Sequence, residues 1–461
     1  MLNQSLLLIV PDSTDLSQKT VHLRLHFHER ILSHHVAREN SGIQDVQWEA
    51  GDEFDINANG TYVVEVKTFS GRTIQKAFSI CFLNSQPTFS GGTGSAFSPF
   101  LIKTAAQLNA IRSNLNAHYR LISDIDLSSP EWGIGWCPIG DFQLTVDGLG
   151  ITVNHKAGFS GCIDGAGHEI KNLSGFYPEK EHVGLFGYLE GTVKNLRLSN
   201  VAFVGKNNIG GIAGTFHGTI LETSVSGKLA GGDLIGGIVG EIVENALGKS
   251  SVIISECEFE GDIIGKLSED RQANAIGGIA AECSGANTVI SNCAVKAQLQ
   301  FSGGIFGICG CTPTAIINCL AQGRIMTECP TQNSIVYGIG AAYSWTEDYG
   351  SPDWGVYGCV SAWEEISFSG GKADNLLNTF DHVGIPPMDV KLVSPYINIL
   401  LNDENIKISG RQEKYLGKYP FEKRCKTISE EILSELGWDF SSVWKMDEKG
   451  WPKLRFDNKN G

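Results

Sequence analysis

One glycine-rich motif recurs six times in the middle of this chain, and the repeat constrains the fold more than any other feature. Each copy sets glycines between branched apolar residues, and a second short apolar strand follows. The copies are 183–187 (VGLFG), 209–214 (IGGIAG), 235–240 (IGGIVG), 276–281 (IGGIAA), 302–307 (SGGIFG) and a degraded 336–341 (VYGIGA). The strands that follow begin at residues 193, 220, 254, 290, 316 and 356. Their fourth positions are 27, 34, 36, 26 and 40 residues apart, so the basic period is 26, and longer steps are loop insertions.

A unit of this length cannot bury its own apolar face, whereas stacked units can. Equivalent residues then lie ~4.8 Å apart and form one continuous core. Glycine accounts for 55 of 461 residues and proline for only 14, which fits a chain that turns often and is not a disordered linker. The repeat predicts an all-β protein built as a parallel β-helix (β-solenoid), right-handed by the crossover rule.

The repeats resemble the GLUG repeats of bacterial surface and secreted proteins. The segments that carry the resemblance are "VGLFGYLEGTVKNLRLSN", "IGGIAGTFHGTILETSVSG", the leader "FSPFLIKTAAQLNAIRSNLNAHYRLISDIDLSS" and the closing "LGWDFSSVWKMDEKGWPKLRF". They lie within residues 95–365 and 427–456. The resemblance implies a β-solenoid. It implies no particular activity, because such repeats occur in adhesins, surface-protease accessory regions and carbohydrate-active proteins alike.

We divide the chain into a small β-sandwich module (1–86), a linker (87–100), the parallel β-helix (101–370) and a C-terminal capping region (371–461). In the first module, residues 21–28 alternate strictly between apolar and polar, and residues 61–68 and 73–80 read as a hairpin. These last two strands resemble those of bacterial immunoglobulin-like modules. The Cys…Trp…Cys spacing of a true immunoglobulin domain is missing from the sequence.

Two capping boxes predict short helices that cover the ends of the solenoid, where an open sheet edge would be adhesive. Thr104 with Gln107 marks the first, and Thr427 with Glu430 marks the second. Residues 366–426 break the repeat pattern and extend either over the second end or back along the side. The second cap is completed by three tryptophans, Trp438, Trp444 and Trp451.

The charge balance limits the possible partners. Lys and Arg number 36 against 51 Asp and Glu, a net charge of −15, which argues against a nucleic-acid partner. No apolar run approaches the ~20 residues of a membrane span, so no membrane insertion is expected. The opening MLNQSLLLIVPD lacks the basic leader of a signal peptide. From the resemblance we still expect a secreted or cell-surface location, with a phage particle as the alternative.

Metal and redox chemistry find weak support in the sequence. Four of the twelve cysteines, Cys257, Cys293, Cys319 and Cys359, share one repeat position and are predicted to stack inside as free thiols. The spacing of Cys309 and Cys311 is not that of a zinc site. We interpret three histidines of one strand as a solvated face without a metal, and His168 as a turn residue. The three are His22, His26 and His28. No metal and no cofactor is predicted.

Catalytic motifs are likewise missing from the sequence, which has no nucleophile elbow, Walker A motif, HExxH or dinucleotide fingerprint. Acids such as Glu258, Glu260, Asp262, Glu364 and Glu365 could lie ~5 to 10 Å apart, as a glycosidase requires. Outward acids on neighbouring coils meet that distance by chance. No catalytic residue is predicted.

Aromatic residues cluster in the longest insertion, 341–365, beside several acids. Aromatic faces stack on sugar rings and carboxylates hold sugar hydroxyls, so an exposed cluster of this kind predicts a glycan platform. The alternative is an aromatic plug over the solenoid end. The predicted ligand-binding residues are Tyr343, Trp345, Tyr349, Asp353, Trp354 and Trp363.

Together these patterns predict a non-enzymatic adhesion or receptor-binding protein that recognises a polysaccharide or cell-surface glycoprotein. One alternative is a carbohydrate-active enzyme on the same scaffold, a glycoside hydrolase, lyase or fructosyltransferase. Another is a structural spacer or tail-fibre component. The sequence makes no prediction of oligomeric state.

Overall fold

The structure of this protein is a computed structural model that describes most of the chain. The described residues are 7–39, 48–85, 88–140, 143–147, 150–154, 158–243, 251–266, 275–284, 287–310, 315–328, 335–341, 355–369, 379–384, 398–401, 407–409, 422–425 and 428–456. Most of the secondary structure is β-strand, and the strands stack into long parallel sheets, the layout of a β-helix or solenoid.

The elements follow one another in a regular order. The N-terminal strands are β1 (Leu8–Pro11), β2 (Val21–His26), β3 (Ile31–Arg38), β4 (Glu49–Ala50), β5 (Glu53–Ile56), β6 (Gly60–Thr68) and β7 (Thr73–Ile80). The next elements are β8 (Phe100–Ile102), α1 (Ala105–Asn109), a 3-10 helix (Ala110–Ser113), β9 (His118–Leu121), β10 (Ile125–Asp126), β11 (Gln143–Asp147), β12 (Gly150–Asn154), β13 (Cys162–Asp164), β14 (Glu169–Lys171) and β15 (Ser174–Tyr177). The coil strands begin with β16 (Phe186–Leu189), β17 (Thr192–Lys194), β18 (Arg197–Gly205), β19 (Asn207–Gly210), β20 (Ala213–Phe216), β21 (Thr219–Leu221), β22 (Ser224–Gly231), β23 (Asp233–Gly236), β24 (Val239–Ile242), β25 (Val252–Ser255) and β26 (Glu258–Gly265). They continue with β27 (Ala275–Gly277), β28 (Ala280–Cys283), β29 (Thr288–Ser291), β30 (Ala294–Gln300), β31 (Gly304–Phe306), β32 (Ala315–Ile317), β33 (Leu320–Glu328), β34 (Ile335–Ala341), β35 (Gly355–Tyr357), β36 (Val360–Ser369) and β37 (Thr379–Gly384). The last elements are β38 (Asn398–Leu401), β39 (Lys407–Ser409), β40 (Glu422–Cys425), α2 (Glu430–Glu435), β41 (Trp444–Met446) and β42 (Pro452–Leu454).

Each coil passes through the same sheets in the same order. It first crosses two glycine sheets, β19-β23-β27-β31-β34-β37 and β16-β20-β24-β28. It then enters the short-strand sheet, β8-β9-β13-β17-β21-β25-β29-β32-β35. It leaves through the long-strand sheet, whose main path is β10-β14-β18-β22-β26-β30-β33-β36-β38-β40. The coil-to-coil pairs of these sheets are all parallel, so equivalent residues lie directly above one another.

The glycine motifs form the predicted ladder. Successive coils pair one branched residue with the next in parallel register: Val183, Ile209, Ile235, Ile276, Ile305 and Val336. The fifth copy corrects our alignment, which placed Ser302 in this column. The structure pairs Ile305 with Ile276, because that register buries both Ile305 and Ile308 completely.

The corner between the short-strand and long-strand sheets is one residue in the left-handed conformation, repeated coil after coil. Three of these residues are asparagine, which tolerates that conformation better than most residues. The column is Asn195, Glu222, Glu256, Asn292, Asn318 and Gly358, with φ between 48° and 60°. In these six coils no insertion interrupts the corner, and the residue that follows it is buried in the core.

The glycines allow the two glycine sheets to approach each other backbone to backbone, within a coil and between neighbouring coils. A Cβ added at Gly214 would contact the backbone of His182 and lie 2.6 Å from the carbonyl oxygen of Asn208. One at Gly240 would lie 2.5 Å from the amide nitrogen of Ile209. Here glycine is required by the close approach and not by a turn.

The N-terminal region folds as two small antiparallel sheets, β1-β2-β5 and β4-β3-β6-β7. The predicted alternation and hairpin are confirmed: Val21, Leu23 and Leu25 are buried, and β6 pairs with β7. The apolar stretch near the start of the chain supplies β1. Its Ile9 carbonyl accepts a hydrogen bond from the amide of Gly135 (2.5 Å), so this region shares one continuous core with the first coils.

Helix α1 begins as predicted, with the Thr104 hydroxyl accepting a hydrogen bond from the amide of Gln107. Leu108 and Ile111 are fully buried against the first coils. The α-helix ends at Asn109 and tightens into the 3-10 helix, so the predicted helical face is shorter than its apolar spacing indicates.

The C-terminal residues 428–456, which we call the C-terminal module, correct two predictions. The N-cap of α2 is Ser429, whose hydroxyl accepts from the amide of Ile432, and Thr427 lies outside the described residues. The module also packs on the side of the solenoid, against outward residues of three successive long strands. Those residues are Ala294, Leu320, Val360 and Ala362, and they meet Leu433, Trp438, Val443, Trp444 and Leu454 of the module.

Candidate functional site: the side wall and its insertions

The longest insertion leaves the solenoid at a defined edge. It joins β34 of the glycine sheets to β35 of the short-strand sheet. Connections at the same edge in earlier coils are 217–218, 243–251 and 284–287. Insertions therefore occur repeatedly at this edge, while the opposite corner of the short-strand sheet carries none in the described coils. Five of the six predicted ligand-binding residues, Tyr343, Trp345, Tyr349, Asp353 and Trp354, lie in 342–354, outside the described residues.

Trp363, the sixth predicted ligand residue, is a core residue, which corrects the predicted set. It lies in β36 at a register shift opposite Gly323 and is 2% exposed. Its indole Nε1 donates a hydrogen bond to the carbonyl oxygen of Gly338 (2.8 Å). The ring lies in the solenoid core and cannot stack on a sugar.

The acids of the long-strand wall are paired with cations on neighbouring coils. Asp262 lies 2.7 Å from the Nζ of Lys228, and Glu260 lies 2.5 Å from the Nζ of Lys296. The hydrogen bond to Glu260 raises the pKa of Lys296. These carboxylates form ion pairs from one coil to the next. A glycosidase instead needs two carboxyl groups that flank the substrate.

Glu364 and Glu365 behave in the same way, with carboxylate oxygens 4.0 and 3.9 Å from the Nε of Arg324. Glu258 is the exception in this group. It lies beside the C-terminal module, and burial raises its pKa although Lys453 acts in the opposite direction. Its carboxyl is shielded by the module and is not exposed on the open wall.

A buried polar network in the glycine sheets was missed by sequence reasoning. The Nδ1 of His182 lies 2.7 Å from the hydroxyl of Thr215. The amide of Asn208 donates to that hydroxyl and to a carboxylate oxygen of Glu241. Three successive coils are thereby tied together by residues that are buried or half-buried. The sequence feature that could have indicated this network is Asn208, which comes directly before an IGG motif and has a φ of 53°.

The N-terminal histidines do not act as one group. His22 lies 2.7 Å from Asp55 and 3.6 Å from Glu53, both on β5, and its hydrogen bond to Asp55 raises its pKa. His26 instead packs against Phe176 of the first coils, with the ring centroids 4.3 Å apart and the rings tilted by 45°, and burial lowers the pKa of His26. Across the part of the chain that the structure describes, no cluster of three or more His, Cys, Asp or Glu residues is arranged to hold a metal ion.

The predicted cysteine column is confirmed. Cys257, Cys293, Cys319 and Cys359 are fully buried, and the nine cysteines with described side chains are all free. The thiols of Cys257, Cys293 and Cys319 each donate to the carbonyl two residues earlier at 3.2 Å. Burial raises the pKa of these three thiols well above the ordinary value, so they remain protonated and inert.

Comparison with known proteins gives partial likenesses. No family model matches the chain. A segment of 161 residues, 34% of the chain, is 35% identical to "Halomucin" of Haloquadratum walsbyi and covers 2% of that protein. A segment of 146 residues, 30% of the chain, is 32% identical to a "Putative Gly-rich membrane protein" of Evansella cellulosilytica and covers 15% of it. Neither described helix, α1 or α2, is long and apolar enough to cross a membrane. The chain thus matches small parts of much longer relatives.

Proposed function

We propose that this chain is a secreted or cell-surface binding protein without catalytic activity, which recognises a polysaccharide or cell-surface glycoprotein. The observation that supports it best is the division of the solenoid into a regular stack and the edge before the short-strand sheet, where insertions recur. A stack of this kind holds loops at fixed spacing, and residues on rigid scaffolds commonly bind partners. The tryptophans of the 342–354 insertion are the proposed contacts, and Trp363 is removed from that set.

The finer architecture belongs to the same proposal. We infer a right-handed β-helix of GLUG type, preceded by an immunoglobulin-like sandwich. The handedness follows from the crossover rule for parallel strands. The sandwich is supported by the two antiparallel sheets of the N-terminal region and by their shared core. The proposed secreted or cell-surface location is supported by the repeat resemblance. It is also supported by the relative named "Putative Gly-rich membrane protein", of which the chain matches a part.

A glycan array tests the proposal with three proteins. We expect the wild-type chain to bind a subset of the glycans, and Trp345→Ala/Trp354→Ala to lose that binding at least tenfold with an unchanged melting temperature. Phe97→Ala is the matched control, because Phe97 is a fully exposed aromatic that lies just before β8 and away from the insertion in sequence. Its removal leaves binding intact.

The same glycans, assayed for released reducing sugar and for unsaturated products, separate binding from catalysis. Turnover of any of them by the wild-type protein overturns the non-enzymatic proposal in favour of a carbohydrate-active enzyme. A double variant that unfolds early would show that both tryptophans are core, as the alternative of an aromatic plug predicts. If the chain binds no glycan and no cell-surface glycoprotein, the binding proposal is wrong and the structural-spacer alternative is favoured.

A further inference from the structure

The long-strand sheet has an outward surface that the C-terminal module leaves uncovered. It lies in the second half of strands β22, β26, β30, β33 and β36. Glycines such as Gly227, Gly261 and Gly323, with φ between 120° and 156°, separate it from the half on which the module packs. We call this surface the charged wall.

One column of the charged wall carries charges in an ordered series. Five of its successive residues, in parallel register and one to a coil, are Lys228, Asp262, Gln298, Arg324 and Glu365; Ala202 precedes them in the column and Lys407 follows. The signs run positive, negative, neutral, positive, negative. The side chains of Lys228 and Arg324 are 54% and 59% exposed, so the column faces solvent.

This series is complementary to its own reverse. Turning the column end for end about Gln298 sets Asp262 opposite Arg324 and Lys228 opposite Glu365. A two-fold axis along the strand direction, through Gln298, produces this arrangement when two walls face each other. Such an isologous contact is the commonest way in which soluble proteins pair.

The neighbouring column follows the same symmetry with apolar residues. Ile264 and Met326 are half-buried and lie one coil before and one coil after Gln300 in register. Reversal about Gln300 therefore sets Ile264 of one copy against Met326 of the other. Apolar contact beside complementary charge is the composition expected of a specific interface.

Two features bear on whether the walls can meet. Lys296 lies on the axis and would face Lys296 of the second copy. Each Lys296 is paired with Glu260 of its own chain at 2.5 Å, so two neutral ion pairs meet there instead of two positive charges. Within one chain, Asp262 is paired with Lys228 at 2.7 Å and Arg324 with Glu365 at 3.9 Å. Dimerisation would extend these separate pairs into alternating four-charge networks.

We propose that the charged wall is a self-association surface on which a second copy of this chain docks in antiparallel orientation. The dimer would present two insertion edges at once, which raises the apparent affinity for a repetitive ligand. The self-association itself does not depend on the proposed binding function.

Charge reversal tests the pairing across the axis. Sedimentation of the wild-type chain is expected to give twice the monomer mass of 49.8 kDa. Asp262→Lys and Arg324→Glu each weaken the dimer at least about tenfold, because like charges then face each other. Asp262→Lys/Arg324→Glu restores the dimer, since the introduced lysine of one copy then meets the introduced glutamate of the other. Within a single chain the double variant restores nothing, because these two residues are not partners there.

Cross-linking tests the position of the axis without relying on charge. Gln298→Cys lies on the axis, and a short bis-maleimide should cross-link the two copies there, because facing sheets about 10 Å apart are too distant for a disulfide. Ala202→Cys, three coils away in the same column, is the matched control and stays unlinked. A wild-type monomer overturns the proposal. So does a dimer that survives both single reversals, and so does a double variant that fails to recover.

Discussion

At the residue scale, the glycines of the repeat and the corner residues in the left-handed conformation show which features the sequence could predict and which it could not. Glycine between branched residues marked the close approach of two sheets, and Asn292 and Asn318 occupy a corner that suits asparagine. Glu222 and Glu256 adopt the same corner conformation, although glutamate has no such preference. Their conformation is imposed by the coils above and below, so only the repeat register could have predicted it.

Gly214→Ala is expected to cost about 3 kcal/mol, the upper end of overpacking penalties, because its Cβ would press on the backbone of His182 and Asn208. Thermal or chemical denaturation measures the loss. Gly71→Ala is the control: nothing lies within 4 Å of that site, and only its φ of 86° opposes alanine, for about 1 kcal/mol. Equal losses at the two sites would contradict the close packing of the glycine sheets.

The buried thiols make a second prediction at this scale. Cys257, Cys293 and Cys319 should resist alkylation at neutral pH, because burial raises their pKa and keeps the reactive thiolate scarce. Denaturant exposes them and should permit complete modification. Mass spectrometry of the labelled peptides gives the readout, and rapid labelling in the native protein would mean that the column is not buried.

At the element scale, the strands were predictable and the docking of the C-terminal module was not. The capping sequence indicated a short helix, but an apolar helical face does not tell which surface it covers. The surface that the module covers is part of one outward column on the long strands. The column is polar in the earlier coils and apolar in the later ones: Arg197, Ser224 and Glu258, then Ala294 and Leu320. That change from polar to apolar is visible only once the register is known.

Leu320→Asp should release the C-terminal module while the coils remain intact. A carboxylate placed in that apolar contact costs about 3 kcal/mol, on the order of a hundredfold in the opening equilibrium. Limited proteolysis within 428–456 measures the release. Ser224→Asp, in the same column but away from the module, is the matched control and should leave the cleavage rate unchanged.

At the scale of the whole molecule, the repeat alone predicted that apolar residues of successive coils form one core. That core extends from Leu7 in the N-terminal region to Trp363 in β36. The sequence did not reveal that the N-terminal region joins it, because contacts such as that of Ile9 with Gly135 involve backbone atoms. Nor did the sequence reveal that Trp363 is buried, since Trp363 is one aromatic residue among several in the insertion and the sequence does not set it apart from them.

Distances between spin labels on the short-strand sheet test the stacking of coils most directly. One label replaces Asp164, and the other replaces Ser255, Ser291 or Ile317, which lie three, four and five coils away in the same column. Stacked parallel coils predict backbone separations of about 14, 19 and 24 Å, a constant rise of one strand spacing per coil. Separations that do not rise by this constant step would mean that the chain is not one continuous parallel stack.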